Sequence, residues 1–338
     1  MGVVFHHAAL SVQAFASAPM PAAIYSALNF GYLGVDFFFV LSGFIILHSH
    51  LGDPSGIGPA KSYFTKRLLR VFPPYLPISI SLFLAYALLP GLSEGIRGGE
   101  FGILSSFFLL PSEYPPALSV AWTLIHEMLF YMVFLTFFAS KKAFFGLAIA
   151  WSCVMFFNSY SRFTENGLAL FKVLLDPINL EFVLGMAAAW IASRTRFRPN
   201  AANVGVLLMA AGVSLFFILL PLADISTRYL FGLPFTLLVL GGALFDLTFE
   251  FKYPKWLVAL GDASYAIYLV HNPLLSLASR AFNRLHLPGS WQVMLLFGAL
   301  LSALGGILYH RFFERPAIRF LRKRMTFVST TQAATRAS

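Results

Sequence analysis

The sequence predicts an all-α membrane protein, a polytopic bundle of about ten transmembrane helices with both termini in the cytoplasm. Three observations carry this. Hydrophobic residues fill 58% of the 338 positions and charged residues only 11%, an apolar excess that a water-soluble core of this size does not need. Apolar stretches of about 20 residues, the length that crosses a hydrocarbon layer of roughly 30 Å, recur from end to end. Strand-like alternation is absent, which argues against a barrel.

The first span, 1–18, starts at Met1 without a charged leader and is too polar for a signal peptide, so the reading frame is expected to begin upstream. Spans at 31–49 and 72–91 follow, the latter just behind the basic run Lys66, Arg67 and Arg70. A shorter apolar piece, 101–111, cannot span and is expected at the interface, in a loop marked by Pro90, Pro111, Pro115 and Pro116. The remaining spans are 119–139, 142–159, 170–192, 203–221, 228–246, 258–279 and 291–312. Beyond Met325 the Ser, Thr and Ala content predicts a disordered tail, 325–338, which leaves 1–324 as one membrane domain.

Net charge is +10, but the basic residues lie in short clusters between apolar runs and read as topology determinants, not as a nucleic-acid surface. One set of alternate loops collects Lys61, Lys66, Arg67, Arg70, Lys141, Lys142, Arg194, Arg196, Arg198, Lys252, Lys255 and the cluster from Arg311 to Arg324. The other holds only Arg97, Arg162, Lys172, Arg228, Arg280 and Arg284. The richer side is assigned to the cytoplasm, and odd-numbered spans then run outward. The single cysteine, Cys153, lies in an apolar run, which excludes an internal disulfide and a cysteine metal site.

An ionisable side chain inside a spanning helix is a functional hypothesis by default. Four stand out: His7, Asp36, Glu127 and His271. At about 1.5 Å per residue the predicted spans put all four roughly 8–13 Å below the outer surface, in one shared layer. Thr123, Glu127 and Tyr131 follow i, i+4, i+8, and Ser264, Tyr268 and His271 follow i, i+4, i+7, so each helix directs a polar stripe inward. Helix-to-helix glue would account for any one of these residues. Two imidazoles and two carboxylates at one depth fit a general base held by a partner better.

Other chemistries fall away. His126 and Glu127 open like a zinc-protease helix, but Phe130 stands where the second histidine belongs. Ser42 lacks the flanking glycines of a nucleophile elbow, Cys153 has no neighbouring base, and no glycine loop precedes a Lys-Ser or Lys-Thr pair.

Six blocks together resemble the bacterial acyltransferase 3 family of membrane O-acyltransferases. They run from Val3 to Ala8, Gly31 to Phe44, Lys66 to Tyr75, Trp122 to Tyr131, Ser264 to His271 and Phe313 to Pro316. The resemblance spans nearly the whole chain. It implies a multi-pass protein of the bacterial inner membrane that moves an acyl group, in the simplest case acetyl, from acyl-coenzyme A to a hydroxyl of a cell-envelope or secreted glycan. No metal is expected, because a thiolate leaves readily and the base need only activate the hydroxyl.

On this resemblance His7 takes the family's essential histidine position as general base, with His6 as the fallback. Glu127 takes the glutamate of the tryptophan block, and Asp36 has a supporting acidic role; buried carboxylates are expected to hold the histidine. Arg67 and Arg70 match the basic block, either as topology anchors or as guanidinium forks for coenzyme A phosphates. Tyr75, Tyr268 and His271 are expected along the donor path, His271 also as a cross-helix pair. Glu181 ranks lower, and Glu314 is expected to pair with a neighbouring arginine. Family members carry an arginine eleven positions before this histidine, which here falls before Met1. Expected partners are membrane lipid, the glycan acceptor and other glycan-biosynthesis proteins. A transporter or flippase for a lipid-linked sugar, with the buried charges as proton relays, is the alternative from another class; a structural subunit of an export complex would need no ionisable layer.

Overall fold

The computed structural model describes residues 1–15, 20–88, 99–195, 200–224, 227–249, 252–284 and 290–324. Among them every regular element is helical. The expected tail, 325–338, lies outside the described residues, as do Pro90, Arg97, Arg196 and Arg198.

The chain opens with α1 (Gly2–Phe15) and α2 (Ala22–Asn29). A tight turn of helix at Phe30–Leu33 joins α2 to α3 (Gly34–His50), so that Ala22–His50 forms 29 residues of continuous helix. This helix starts nine residues before the predicted boundary, behind Pro21, whose fixed φ suits a helix entrance. At about 1.5 Å per residue it exceeds what a membrane requires. α1 docks directly on it. A side chain at Gly31 would collide with the Gly2 backbone, so the missing Cβ permits the contact.

α4 (Ile57–Leu88) is 32 residues long and begins fifteen residues before the predicted span. Arg67 and Arg70 therefore lie about three turns inside a helix and not at its mouth. Pro73, Pro74 and Pro77 sit within it, and tyrosine hydroxyls reach carbonyls in that stretch: Tyr265 donates to Val71 at 3.1 Å and Tyr309 to Pro74 at 2.8 Å. α5 (Gly99–Phe108) is the short piece expected at 101–111. α6 (Trp122–Phe134) and α7 (Thr136–Ala139) form the predicted fourth span, followed by α8 (Lys141–Ser161), which Ser140 caps by accepting from the Ala143 amide at 3.3 Å.

The predicted span 170–192 is broken. α9 (Ala169–Leu174) stops before Pro177, Asp176 caps a turn at Pro177–Asn179, and α10 (Leu180–Thr195) restarts with Glu181 facing inward. α10 crosses α3 where Gly43 and Gly185 bring backbones into contact: a Cβ at Gly43 would strike the Phe182 carbonyl, and one at Gly185 the Val40 carbonyl. α11 (Ala201–Leu219), α12 (Gly232–Phe249), α13 (Lys255–Asp262), α14 (Ser264–Arg284) and α15 (Trp291–Tyr309) complete the bundle, the last running through a π turn at His310–Glu314 to residue 324.

Eight of the described helices are long and apolar enough to cross a membrane. The two predicted spans outside that set are α1, with 14 residues, and α14, which carries His271, Asn272, Pro273 and Arg280 along its length. Both pack into the interior, and they meet at the candidate site. Apart from them, an aromatic core holds α4, α6, α7, α8 and α10 together, with Phe130 on Phe182 at 4.4 Å, Phe134 on Phe137 at 5.1 Å, and Tyr63 and Phe144 each 5.2 Å from Phe134.

Candidate active site

Three polar clusters occupy the interior. The first joins α1 to α14. The Nδ1 of His271 lies 2.6 Å from the Tyr268 carbonyl, and its Nε2 lies 3.1 Å from Nδ1 of His7. His7 Nδ1 is also 3.1 Å from the Val3 carbonyl. A carbonyl only accepts, so in a neutral ring His271 carries its proton on Nδ1 and presents a lone pair at Nε2. His7 must then carry its proton on Nδ1 as well. Among the described residues the recorded bonds of His7 are both at Nδ1, so the lone pair sits on Nε2. His271 is fully buried (0%) while His7 is partly accessible, and His6 packs edge-on to both His7 and Tyr32.

The second cluster surrounds Glu127 on α6. Tyr131, one turn on, donates to Glu127 Oε1, and the Ser42 hydroxyl of α3 reaches the same oxygen at 3.4 Å. Arg67 stands over the rings of Tyr63 and Tyr131, each 5.7 Å from its centroid, with Nε buried and, among the described residues, without a hydrogen-bond partner. Arg70 stands 5.1 Å over Tyr265 and donates through Nη1 to Glu314 Oε1 at 2.8 Å; His310 holds the other Glu314 oxygen at 3.0 Å. Both guanidinium groups lie within electrostatic reach of the Glu127 carboxyl. Glu314 thus pairs with an arginine on another helix, not with a neighbour in sequence.

The third cluster is an ion pair. Arg228, at the entrance to α12, donates from Nε to Asp36 Oδ1 at 3.0 Å and from Nη2 to Oδ2 at 2.6 Å. Its guanidinium is covered by the rings of Tyr32 and Trp122, at 5.3 and 5.4 Å. Asp36 is fully buried, and so is Glu181 beside it, whose carboxyl lies close enough to interact with that of Asp36. Gly232 leaves room for the Glu181 side chain: a Cβ there would sit 3.0 Å from Glu181 Cγ. Close by, His126 Nδ1 meets Asn179 Oδ1 at 3.0 Å.

Four residues predicted in one layer therefore occupy three sites. His7 is joined to His271, not held by a carboxylate; Asp36 is committed to Arg228 and Glu127 to Tyr131 and Ser42. The depth of Asp36 was counted from residue 31, whereas its helix begins nine residues earlier, at Ala22. The α6 stripe is as expected, with Thr123, Glu127 and Tyr131 all buried; on α14 His271 is buried but Ser264 is exposed. Two residues expected along a donor path have their hydroxyls bonded within the fold. Tyr75 is sealed inside the fold and donates to the Ser106 carbonyl at 2.5 Å, tying α5 to α4. Tyr268 shares its hydroxyl with Thr123 Oγ1 at 2.8 Å and the Val120 carbonyl at 3.0 Å. Arg228 was read from the sequence only as an outer-side charge. Its signal was Asp36 itself, since a buried carboxylate implies a cation.

Comparisons with known proteins bear on the whole bundle. Residues 1–311 match a family model described as an acyltransferase domain. The chain is 30% identical over 309 residues to the exopolysaccharide production protein ExoZ of Rhizobium meliloti (strain 1021), covering 86% of this chain and 90% of that protein. It is 25% identical to the acyltransferase MdmB of Streptomyces mycarofaciens, over 96% of this chain and 90% of that protein. It is also 25% identical to the peptidoglycan O-acetyltransferase OatA of Listeria monocytogenes, where the match takes in 90% of this chain but 55% of the longer relative. No solved structure matches the chain.

Proposed function

Because the chain belongs to the acyltransferase 3 family, we propose that it transfers an acyl group, in the simplest case acetyl, from acyl-coenzyme A to a glycan hydroxyl at the bacterial cytoplasmic membrane. The protein is a multi-pass membrane acyltransferase of the class that moves groups other than aminoacyl groups. The names of ExoZ and OatA, an exopolysaccharide production protein and a peptidoglycan O-acetyltransferase, support a polysaccharide or other envelope glycan as acceptor.

The observation that carries this reading is the bond sequence from the Tyr268 carbonyl through His271 to His7. It favours the His7 tautomer with a free lone pair on Nε2, the form a general base needs. In the proposed step Nε2 takes the proton of the acceptor hydroxyl as its oxygen forms a bond to the thioester carbonyl carbon. The tetrahedral intermediate collapses with loss of the carbon–sulfur bond, and the proton passes from His7 to the departing thiolate. Acyl ester and free thiol result, with no net proton change. Arg67 and Arg70 are proposed to hold donor phosphates; among the described residues Arg67 Nε has no hydrogen-bond partner and Arg70 is bonded to Glu314 through Nη1 alone, which supplies the capacity. Glu127, bonded to Tyr131 and flanked by both arginines, positions that donor end. Asp36 supports the site indirectly by fixing Arg228.

The test is transfer of radiolabel from acetyl-coenzyme A by protein reconstituted in lipid nanodiscs, with de-O-acylated envelope glycan from the source strain as acceptor. Label should move to glycan with wild type and not with His7→Ala. A flippase would leave all label on coenzyme A.

A further inference from the structure

Outside the three buried clusters, two loops face each other across an open cavity of about 470 Å³, within the roughly 300–1,000 Å³ range of small-molecule sites. One wall is the segment after α5, with Pro111, Ser112, Glu113 and Tyr114; the other precedes and enters α9, with Asn166 and Leu168. We propose that this groove is the acceptor subsite, binding an uncharged stretch of glycan. The proposal rests on the acyl-transfer reading above and adds where the acceptor lies.

Both walls are built rather than loose. On the first, the Leu110 amide donates to the Ser105 carbonyl at 2.9 Å, the Ala117 amide to Ser106 Oγ at 3.0 Å, and the Tyr86 hydroxyl to the Ala117 carbonyl at 3.0 Å. On the second, Asn158 reaches from α8 to hold Thr164 Oγ1 at 2.9 Å and the Leu175 carbonyl at 2.9 Å, and the Gly167 amide donates to the Thr164 carbonyl at 2.8 Å. Lys172 then clasps the walls together through Glu113 at 2.9 Å. Walls already ordered lose little entropy when a ligand binds.

The lining selects the ligand. Tyr114 is 46% exposed and offers a flat apolar ring with a polar tip, which suits the CH face of a sugar. Asn166 and Ser112 add donors and acceptors for hydroxyls. Glu113 and Lys172 cancel each other, so the groove presents no surplus cation for a polyanion. The phosphates of a nucleotide donor find guanidinium groups at Arg67 and Arg70 instead.

Position links the groove to the chemistry. The first wall runs on from Tyr114 to Ser119, five residues that span at most about 18 Å. There Ser119 Oγ accepts from Asn272 Nδ2 at 2.5 Å, and Asn272 adjoins His271, the partner of His7. The groove wall and the His7–His271 pair are thus tied to one short loop segment, from Tyr114 to Ser119.

The nanodisc assay with extracted, de-O-acylated envelope glycan tests this directly. Tyr114→Ala and Asn166→Ala should each raise the KM for glycan by about tenfold, while the KM for acetyl-coenzyme A and the slow hydrolysis of donor without acceptor stay at wild-type values. Tyr114→Phe keeps the ring and should remain within about twofold of wild type. Unchanged glycan KM in both alanine variants, with wild type active, would overturn the subsite and leave the function standing. If wild type labels no glycan, the acyl-transfer reading falls and the subsite with it. A variant that loses donor hydrolysis as well as glycan transfer would show damage to the fold, and Asn166→Asp, which keeps size, then decides: a normal glycan KM there counts against the subsite.

Discussion

Two buried pairs sit in the same bundle and behave in opposite ways. Asp36 and Arg228, 192 positions apart, close on one another: both carboxylate oxygens accept from one guanidinium, and two rings cover it. His7 and His271, 264 positions apart, leave capacity unspent. A carbonyl fixes the proton on His271, His271 fixes the proton on His7, and the chain of bonds ends on a nitrogen with a free lone pair. Both pairs satisfy the rule that ionisable groups inside a membrane protein find partners. Only the second has something left to do. Burial of a charge within a membrane thus marks importance, while chemistry is marked by the valence that the partners leave open.

The comparison breaks most visibly at its two ends. His7→Ala should lower acyl transfer by about 10³–10⁴-fold, the upper part of what a lost general base costs, and leave the thermal melting midpoint in nanodiscs near wild type. Asp36→Ala should do the reverse in kind. It strands a buried guanidinium, at a cost of about 3–5 kcal/mol, visible as a drop in melting temperature with activity lost in proportion to folded protein. The double variant Asp36→Leu with Arg228→Met should recover most of that stability, since a buried ion pair can be exchanged for apolar packing at little net cost. If the double variant folds and is inactive, the pair belongs to the chemistry and the contrast fails.

His271 is the intermediate case, because it acts only through His7. His271→Ala should slow turnover by about 10²-fold, as a misplaced catalytic group does, with KM for both substrates little changed. His271→Asn restores an acceptor near the His7 proton and should recover part of the rate. Equal activity in the alanine and asparagine variants would show that His271 fills space and fixes no tautomer.

The parts legible in sequence were those that local pattern can carry. Apolar length located the membrane helices, and the α6 stripe of Thr123, Glu127 and Tyr131 faces the interior as its i, i+4 spacing requires. The partners were not legible. No periodicity within a helix connects Asp36 to Arg228 or His7 to His271, and the estimate by depth depended on helix ends that hydropathy does not define. Helix α4 hid its start because Lys61, Lys66, Arg67 and Arg70 make its first half look like a loop. Interruption of the span 170–192 was readable in principle from Asp176-Pro177, a capping residue before a proline that cannot continue a helix. That break is what sets Glu181 beside Asp36.

The smallest expected effect falls at the donor end, where neither extreme of the comparison applies. Arg70 is half spent: Nη1 is bonded to Glu314, and the rest of its fork is open at a partly exposed position. Arg70→Ala should raise the KM for acetyl-coenzyme A by about tenfold, the loss of one charge-assisted phosphate contact, and leave the glycan KM alone. Arg70→Lys distinguishes a phosphate fork from a topology anchor. Lysine keeps the charge that orients the helix, but it is a point donor. It cannot bind Glu314 along one edge and a phosphate along another with the fixed planar geometry of guanidinium. A fork therefore predicts a KM between those of wild type and Arg70→Ala, whereas an anchor predicts full wild-type kinetics in the lysine variant. Glu314→Gln adds a second reading of the same geometry. It removes the charge that holds Arg70, so a fork oriented by Glu314 should weaken donor binding by a few-fold, and combining it with Arg70→Ala should add nothing further. If the two effects multiply instead, Glu314 acts on some other group, and Arg70 belongs with the Asp36–Arg228 pair, closed by its partner and without chemistry to spare.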